Sequence, residues 1–343
     1  DVVVHDTKAP VFSAVEHLTF EATSPSGAIG TYGLPTATDI VDGDRPVTCS
    51  PASGSTFGLG PSNVTCSASD TRGNEATTGF NVTVKDTIAP VIAEHAVVTA
   101  EATGADGALV SYSLPSVSDA VSTNLVASCT PVSGTQFALG TTAVKCDAVD
   151  GAGNEAAQTS FNVIVADTTA PIIINANTDK VVEATSAAGA TVSFVKLIAT
   201  DAVDPNVQVT CSSESGSVFA LGTTTVTCGA NDASGNVATP VSFKVTVQDT
   251  TAPALSGVSG NLIAEATSAA GAAVTFALPT ATDLVDGTVA VTCSEASGST
   301  FALGSTTVTC SATDAAKNTS SASFDVKVQD RTAPTLAGLI DVS

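Results

Sequence analysis

Val241-Ser-Phe-Lys-Val-Thr-Val-Gln-Asp-Thr-Thr-Ala-Pro253 decides how this chain is organised, because it joins two unlike halves. The first half alternates apolar Phe243, Val245 and Val247 with polar Lys244, Thr246 and Gln248, the period-two pattern of a strand with one buried face. The second half, Asp249-Thr-Thr-Ala-Pro253, is a connector. Proline fixes its own φ and drives the alanine before it into an extended conformation, so Thr-Ala-Pro is short and stiff. The phrase also stands at Asp6-Thr-Lys-Ala-Pro10, Asp86-Thr-Ile-Ala-Pro90, Asp167-Thr-Thr-Ala-Pro171 and Asp330-Arg-Thr-Ala-Pro334, at intervals of 80, 81, 82 and 81 residues. Periodicity that strict marks a tandem array, and every joint carries an acid.

Working outward from the joint, four complete repeats span 6–86, 87–167, 168–249 and 250–330. Each holds a Glu-Ala-Thr (Glu21, Glu101, Glu183, Glu265) and then an aspartate (Asp39, Asp119, Asp201, Asp283). A second aspartate follows three residues later as Asp42, Asp204 and Asp286, and is missing from repeat 2. Next comes a cysteine pair 17 residues apart: Cys49 and Cys66, Cys129 and Cys146, Cys211 and Cys228, Cys293 and Cys310. Four residues past the second cysteine stands another aspartate, with an asparagine at +4: Asp70 and Asn74, Asp150 and Asn154, Asp232 and Asn236, Asp314 and Asn318. At the ends, residues 1–5 align with the last strand of a repeat and 331–343 with the start of another. Two readings stay open, a window from a longer array or a subunit that polymerises head to tail by lending Val2, Val3 and Val4 to a neighbour's sheet.

The abundance of Thr, Val, Ala, Ser and Gly, with no Met or Trp and no apolar stretch of helical period, predicts an all-β protein. A core of about 81 residues is modest, and one cysteine pair per repeat predicts an intra-repeat disulfide in an oxidising, extracellular compartment. Closing a loop of that length stabilises by about 3 kcal/mol in the chain-entropy view. Zinc would need four clustered ligands, and the spacing does not supply them. No span of 18 apolar residues occurs. With 33 acidic and 11 basic residues the net charge is −22, which excludes nucleic acid and anionic lipid as partners. Asn63, Asn81 and Asn318 begin glycosylation acceptor patterns, which arise often by chance in Thr-rich chains.

Strand parity places the acids. Taking each repeat as a sandwich with its joint at the top, the first strand of repeat 2 (91–100) descends to Glu101 and the second (108–117) climbs to Asp119. The cysteine strands return the chain to Asp150 and Asn154 at the top, and the last strand descends to Asp167. Stacking repeats then gathers Glu101 and Asp167 with Asp201, Asp204, Asp232 and Asn236. Each like-charge contact costs about 1 kcal/mol even in water. Calcium, which takes 6–8 oxygen ligands in irregular geometry, resolves such a cluster. The expected ligands are the joint aspartates Asp6, Asp86, Asp167, Asp249 and Asp330 with the in-register Glu, Asp and Asn residues named above. Local turn chemistry alone also favours Asp and Asn at these places, and that reading stays open.

Asp-Thr-Thr-Ala-Pro, Glu-Ala-Thr-Ser-Ala-Ala-Gly-Ala, the paired cysteines around Gly-Ser-x-Phe-x-Leu-Gly, and Asp-x-x-Gly-Asn together resemble the hyalin repeat (HYR) module. The resemblance covers nearly the whole chain. It implies a linear tandem of four immunoglobulin-like, fibronectin-III-like β-sandwiches and an extracellular adhesion, matrix or cell-surface role, with neighbouring copies or repeats as partners. The expected function is mechanical: a calcium-stiffened spacer, adhesin stalk or filament on the order of 150 Å long. A glycan- or protein-binding module is the alternative, with Tyr32 and Tyr112 as its aromatics. Catalysis is not expected, since His5, His17 and His95 occupy non-equivalent positions. Isopeptide cross-links lack a lysine shared by all repeats.

Overall fold

The computed structural model describes residues 1–335, so most of the expected opening of a further repeat in 331–343 lies outside the described residues. The described residues form strands and turns without a helix, and none of their segments is a helix able to cross a membrane. The chain divides into two compact units, Asp1–Thr168 and Thr169 onward, each with two repeats.

In repeat 1 a four-stranded sheet runs in the order Leu18–Glu21, Glu75–Lys85, Gly60–Ser69, Thr48–Ser50. The first two strands are parallel, Leu18 opposite Val82, and the other pairs are antiparallel. Facing it, Val11–Phe12 pairs with Ala37–Asp39, which pairs with Gly43–Arg45, while Ala28–Gly30 pairs with Ser55–Phe57. The same four-stranded order recurs in the other repeats. Its long central strands carry the period-two pattern, so Val64, Cys66, Val82 and Val84 meet Phe57 and Phe80 in one core. Val226, Cys228, Val245 and Val247 with Phe219 and Phe243 do so in repeat 3.

The directions expected from parity hold, but the two strands that open each repeat are not continuous. The predicted strand 91–100 is two strands: Val91–Ile92 pairs with Val117–Ser118, and Val98–Glu101 joins the other sheet parallel to Thr159–Ala166. The predicted 108–117 likewise splits, Ala108–Val110 pairing with Thr135–Phe137. A strand that crosses between sheets lets one short segment close both edges of a small sandwich, and no periodicity in so short a run marks the crossing.

All four expected disulfides form within their repeats: Cys49 bonds Cys66, Cys129 bonds Cys146, Cys211 bonds Cys228, and Cys293 bonds Cys310. In each, the two cysteines stand directly opposite one another, so the bond staples the short edge strand to its long neighbour. The second cysteine of every pair, Cys66, Cys146, Cys228 and Cys310, lies on the long central strand and is fully buried in the core. Alternation puts it there, because it stands two residues after the buried Val64, Val144, Val226 or Val308. The turn after Glu-Ala-Thr needs glycine. Gly27 has φ 101°, and a Cβ there would fall 1.9 Å from the Phe57 carbonyl oxygen. That close approach fastens the turn to the Phe-x-Leu-Gly turn at the bottom of the repeat.

Candidate metal centre

Three acid groups within the two units each bring three carboxylates within 4.8 Å of one another: Asp6, Asp39 and Asp70; Asp86, Asp119 and Asp150; Asp249, Asp286 and Asp314. Each combines a joint aspartate, an aspartate at the end of the second strand or three residues after it, and the aspartate past the second cysteine. Local hydrogen bonds explain how the chain delivers them. Asp39 ends a strand, and its Oδ1 accepts the N–H groups of Val41 and Asp42. Asp119 does the same with Val121 and Ser122, Asp201 with Val203 and Asp204, and Asp283 with Val285 and Asp286. One oxygen is thus spent on the turn. The other oxygen of Asp39 and of Asp283 is buried without a hydrogen-bond partner.

Asp70 and Asp150 are held from several sides. Asp150 Oδ1 accepts the N–H groups of Ala152 and Asn154, and its Oδ2 accepts the Asn154 amide at 2.7 Å. Burial alone would push its carboxyl up, but the Asn154 amide and the loop N–H groups hold it below the usual range. Asp70 and Asp232 are lowered in the same way. The asparagines act as struts: Nδ2 of Asn154 also donates to the Asp86 carbonyl, Asn74 to the Asp6 carbonyl and Asn318 to the Asp249 carbonyl.

The joint aspartates differ. Both carboxylate oxygens of Asp86 are buried with no hydrogen-bond partner, as is Oδ2 of Asp249. Burial pushes the Asp86 carboxyl up from its ordinary value, and the charges of Asp119, Asp150 and Glu21 add to this; the Ile88 N–H, nearby but outside hydrogen-bond geometry, offsets part. Asp249 is raised by burial and then by Asp283, Asp314 and Glu183. Desolvated carboxylates beside one another are costly unless a cation compensates them. An all-oxygen, all-anionic donor set with unpartnered buried atoms fits a hard divalent cation such as calcium.

Several predicted ligands also have hydrogen-bond partners of their own. Glu21 is not in a cluster: its two oxygens accept the Thr87 N–H at 2.8 Å and the Thr87 hydroxyl at 2.7 Å, which lowers its pKa. Glu101 clasps Thr168, Glu183 clasps Thr250 and Thr251, and Glu265 clasps Arg331 and Thr332. These glutamates fasten the joint to the bottom of its own repeat. Asp42 accepts the Thr71 N–H and hydroxyl, strapping one top loop to another; Asp204 does so at Ala233, Asp286 at Ala315, and Ser122 replaces it at Gly151. Asp330 accepts the Thr332 N–H. Residues 1–10 pair with no strand, and Val2, Val3 and Val4 are exposed. Tyr32 and Tyr112 pack edge-on against Phe80 and Phe161, and their hydroxyls donate to the carbonyls of Pro51 and Pro131, so they face their own cores.

Sequence reasoning missed one repeated position at the joints. Val121, on the top loop of repeat 2, is 7% exposed and joins the core of repeat 1, and Val285 packs against the core of repeat 3. The signal was present as the in-register Val41, Val121, Val203 and Val285, each two residues after its aspartate.

The chain matches the HYR domain over residues 5–84, 85–165, 166–247 and 248–328. Hyalin of Strongylocentrotus purpuratus is 32% identical over 328 residues, 92% of this chain and 27% of that protein. Hyalin of Lytechinus variegatus is 30% identical over 356 residues, 100% of this chain and 67% of that protein. The chain therefore spans about a quarter of one relative and two thirds of the other. The protocadherin GammaB4 extracellular domain aligns over 96% of this chain and 69% of its own at 15% identity, with a TM-score of 0.40. Residue patterns, four matching segments and two relatives agree that the chain belongs to the HYR domain family.

Proposed function

We propose that this chain is an extracellular adhesion or matrix spacer whose repeats, with boundaries at 86/87, 167/168 and 249/250, are stiffened at their joints by calcium. The observation that carries this reading is the set of buried, unpartnered oxygens of Asp86, Asp249 and Asp283 in or beside clusters made of carboxylates alone. Asp86, Asp119 and Asp150 would hold one ion, and Asp249, Asp283, Asp286 and Asp314 another. Bound calcium would supply the positive charge that lets three clustered carboxylates share one small volume. Four disulfides suit an oxidising, extracellular location. A surface so acidic suits partners that are further copies, adjacent repeats or a cell-surface or matrix ligand, rather than polyanions.

Calorimetry and small-angle scattering with and without chelator test this reading. Calcium should raise the melting temperature and lengthen the particle, and identical behaviour in both solutions would sink the proposal. Head-to-tail polymerisation through Val2–Val4 is a second reading. It requires an acceptor sheet lacking its own last strand, and the four described repeats each hold theirs: Glu75–Lys85, Thr159–Ala166, Val241–Gln248 and Thr319–Gln329. Filaments that persist after residues 2–4 are deleted would reject it.

A further inference from the structure

The three acid clusters are not alike in their surroundings. At the first, Arg72 Nη1 stands 3.5 Å from Asp6 Oδ2, and the Asp6 side chain is 5% exposed. Arg72 lies inside the Asp70–Asn74 loop, where the other repeats have Ala152, Ser234 and Ala316. Arg45 donates from Nε to the carbonyl of Ser69, beside Asp70, and Val289 holds the equivalent register position in repeat 4. Lys8 stands in the joint itself, where the later joints have Ile88, Thr169, Thr251 and Thr332. Three of the chain's 11 basic residues therefore sit on one top.

We infer that Arg72 is the built-in counter-cation of the first cluster, so the top of repeat 1 is held without calcium while the Asp86 and Asp249 clusters depend on it. The inference rests on the calcium reading of those two clusters. A guanidinium keeps its charge at every physiological pH, and this one, half-exposed and 3.5 Å from Asp6, offsets part of the field that a divalent ion would cancel. Its compensation is partial: Oδ2 of Asp39 stays buried without a partner. Removing the arginine should thus expose a cluster able to take an ion, with calcium affinity rising about tenfold or more for the loss of one neighbouring positive charge.

Hydrogen exchange of the full chain, followed in peptides covering residues 70–74, 150–154 and 314–318 with calcium and with chelator, reads the three tops separately. In the natural chain calcium should slow exchange at 150–154 and 314–318 and leave 70–74 unchanged. Arg72→Gln should make 70–74 respond as the others do, and Arg72→Lys should not. The reverse graft, Ala152→Arg, should weaken the calcium response at 150–154 by about tenfold and needs no change in repeat 1. A natural chain whose 70–74 loop responds like the other two overturns the inference alone, as does an Ala152→Arg chain with undiminished response. No response at any loop in any variant overturns the calcium reading and this inference with it.

Discussion

The tops of repeats 1 and 2 are built from the same three aspartates yet end in opposite states. At Asp6 an arginine faces the carboxylate, and Val41 on the adjoining loop is 57% exposed. At Asp86 no basic residue stands in the equivalent positions, both carboxylate oxygens lack a partner, and Val121 is buried in the core of repeat 1. The second top is thus a joint in the mechanical sense, with an apolar plug and an uncompensated acid cluster side by side. Packing holds the plug in place and repulsion opposes it. A cation that cancels the repulsion lets the plug govern.

Removing the joint aspartate should break this contrast most sharply, because its effect changes sign. With calcium at a hundred times its dissociation constant, Asp86→Ala should lower the melting temperature of the first unit by about 5–10 °C, since one site's binding energy is lost. In chelator the same substitution should raise it, since a buried like charge disappears. Paired calorimetric scans check both signs, and a loss of stability in chelator as well would assign Asp86 a purely structural role.

The plug gives the next effect. Val121→Ala should cost about 2 kcal/mol, from two buried methyl groups and the cavity they leave, while Val41→Ala should stay within about 0.5 kcal/mol. Denaturant midpoints compare the two. Equal costs would show that the valine serves its own loop and not the joint.

Acidity gives the smallest and most diagnostic difference. Asp86 and Asp249 have raised carboxyls, so without calcium they bind protons more tightly folded than unfolded. Their repulsion is then fully present above their folded values and is relieved as pH falls toward the ordinary aspartate range near about 4. Glu21, Glu183, Glu265, Asp70, Asp150 and Asp232 are lowered, so their stabilisation is present above the unfolded values and lost as pH falls below about 4. Calcium-free protein should therefore gain stability as pH falls toward the ordinary aspartate range near about 4 and lose it below that. Calcium-loaded protein should show only the acid loss. Melting temperatures across that range distinguish the two curves.

Much of the site was legible in the chain. Register alone assembled Asp86, Asp119 and Asp150, because turns at fixed offsets and alternating strands leave few ways to distribute the ends. Glu21 was legible as a joint acid from its spacing, which puts it at the bottom of the repeat, and only the fold shows the Thr87 N–H and hydroxyl folding back to donate to its two oxygens. The crossing within 91–100 was invisible, since two short strands in different sheets have the same alternation as one long strand. Val121 was visible as a repeated letter, without the partner core that gives it meaning.

The sequence by itself determined the array, its period, the all-β class, the cysteine pairing and the accumulation of acids, because these follow from periodicity and from residue chemistry that no long-range contact can reverse. Tertiary structure decided which carboxylates are desolvated and which are already engaged. Burial and partnership depend on side chains about 29 or 68 residues apart, such as Asp42 with Thr71 or Asn154 with the Asp86 carbonyl. Charge is a property of the residue, whereas the cost of holding it without water is a property of the place.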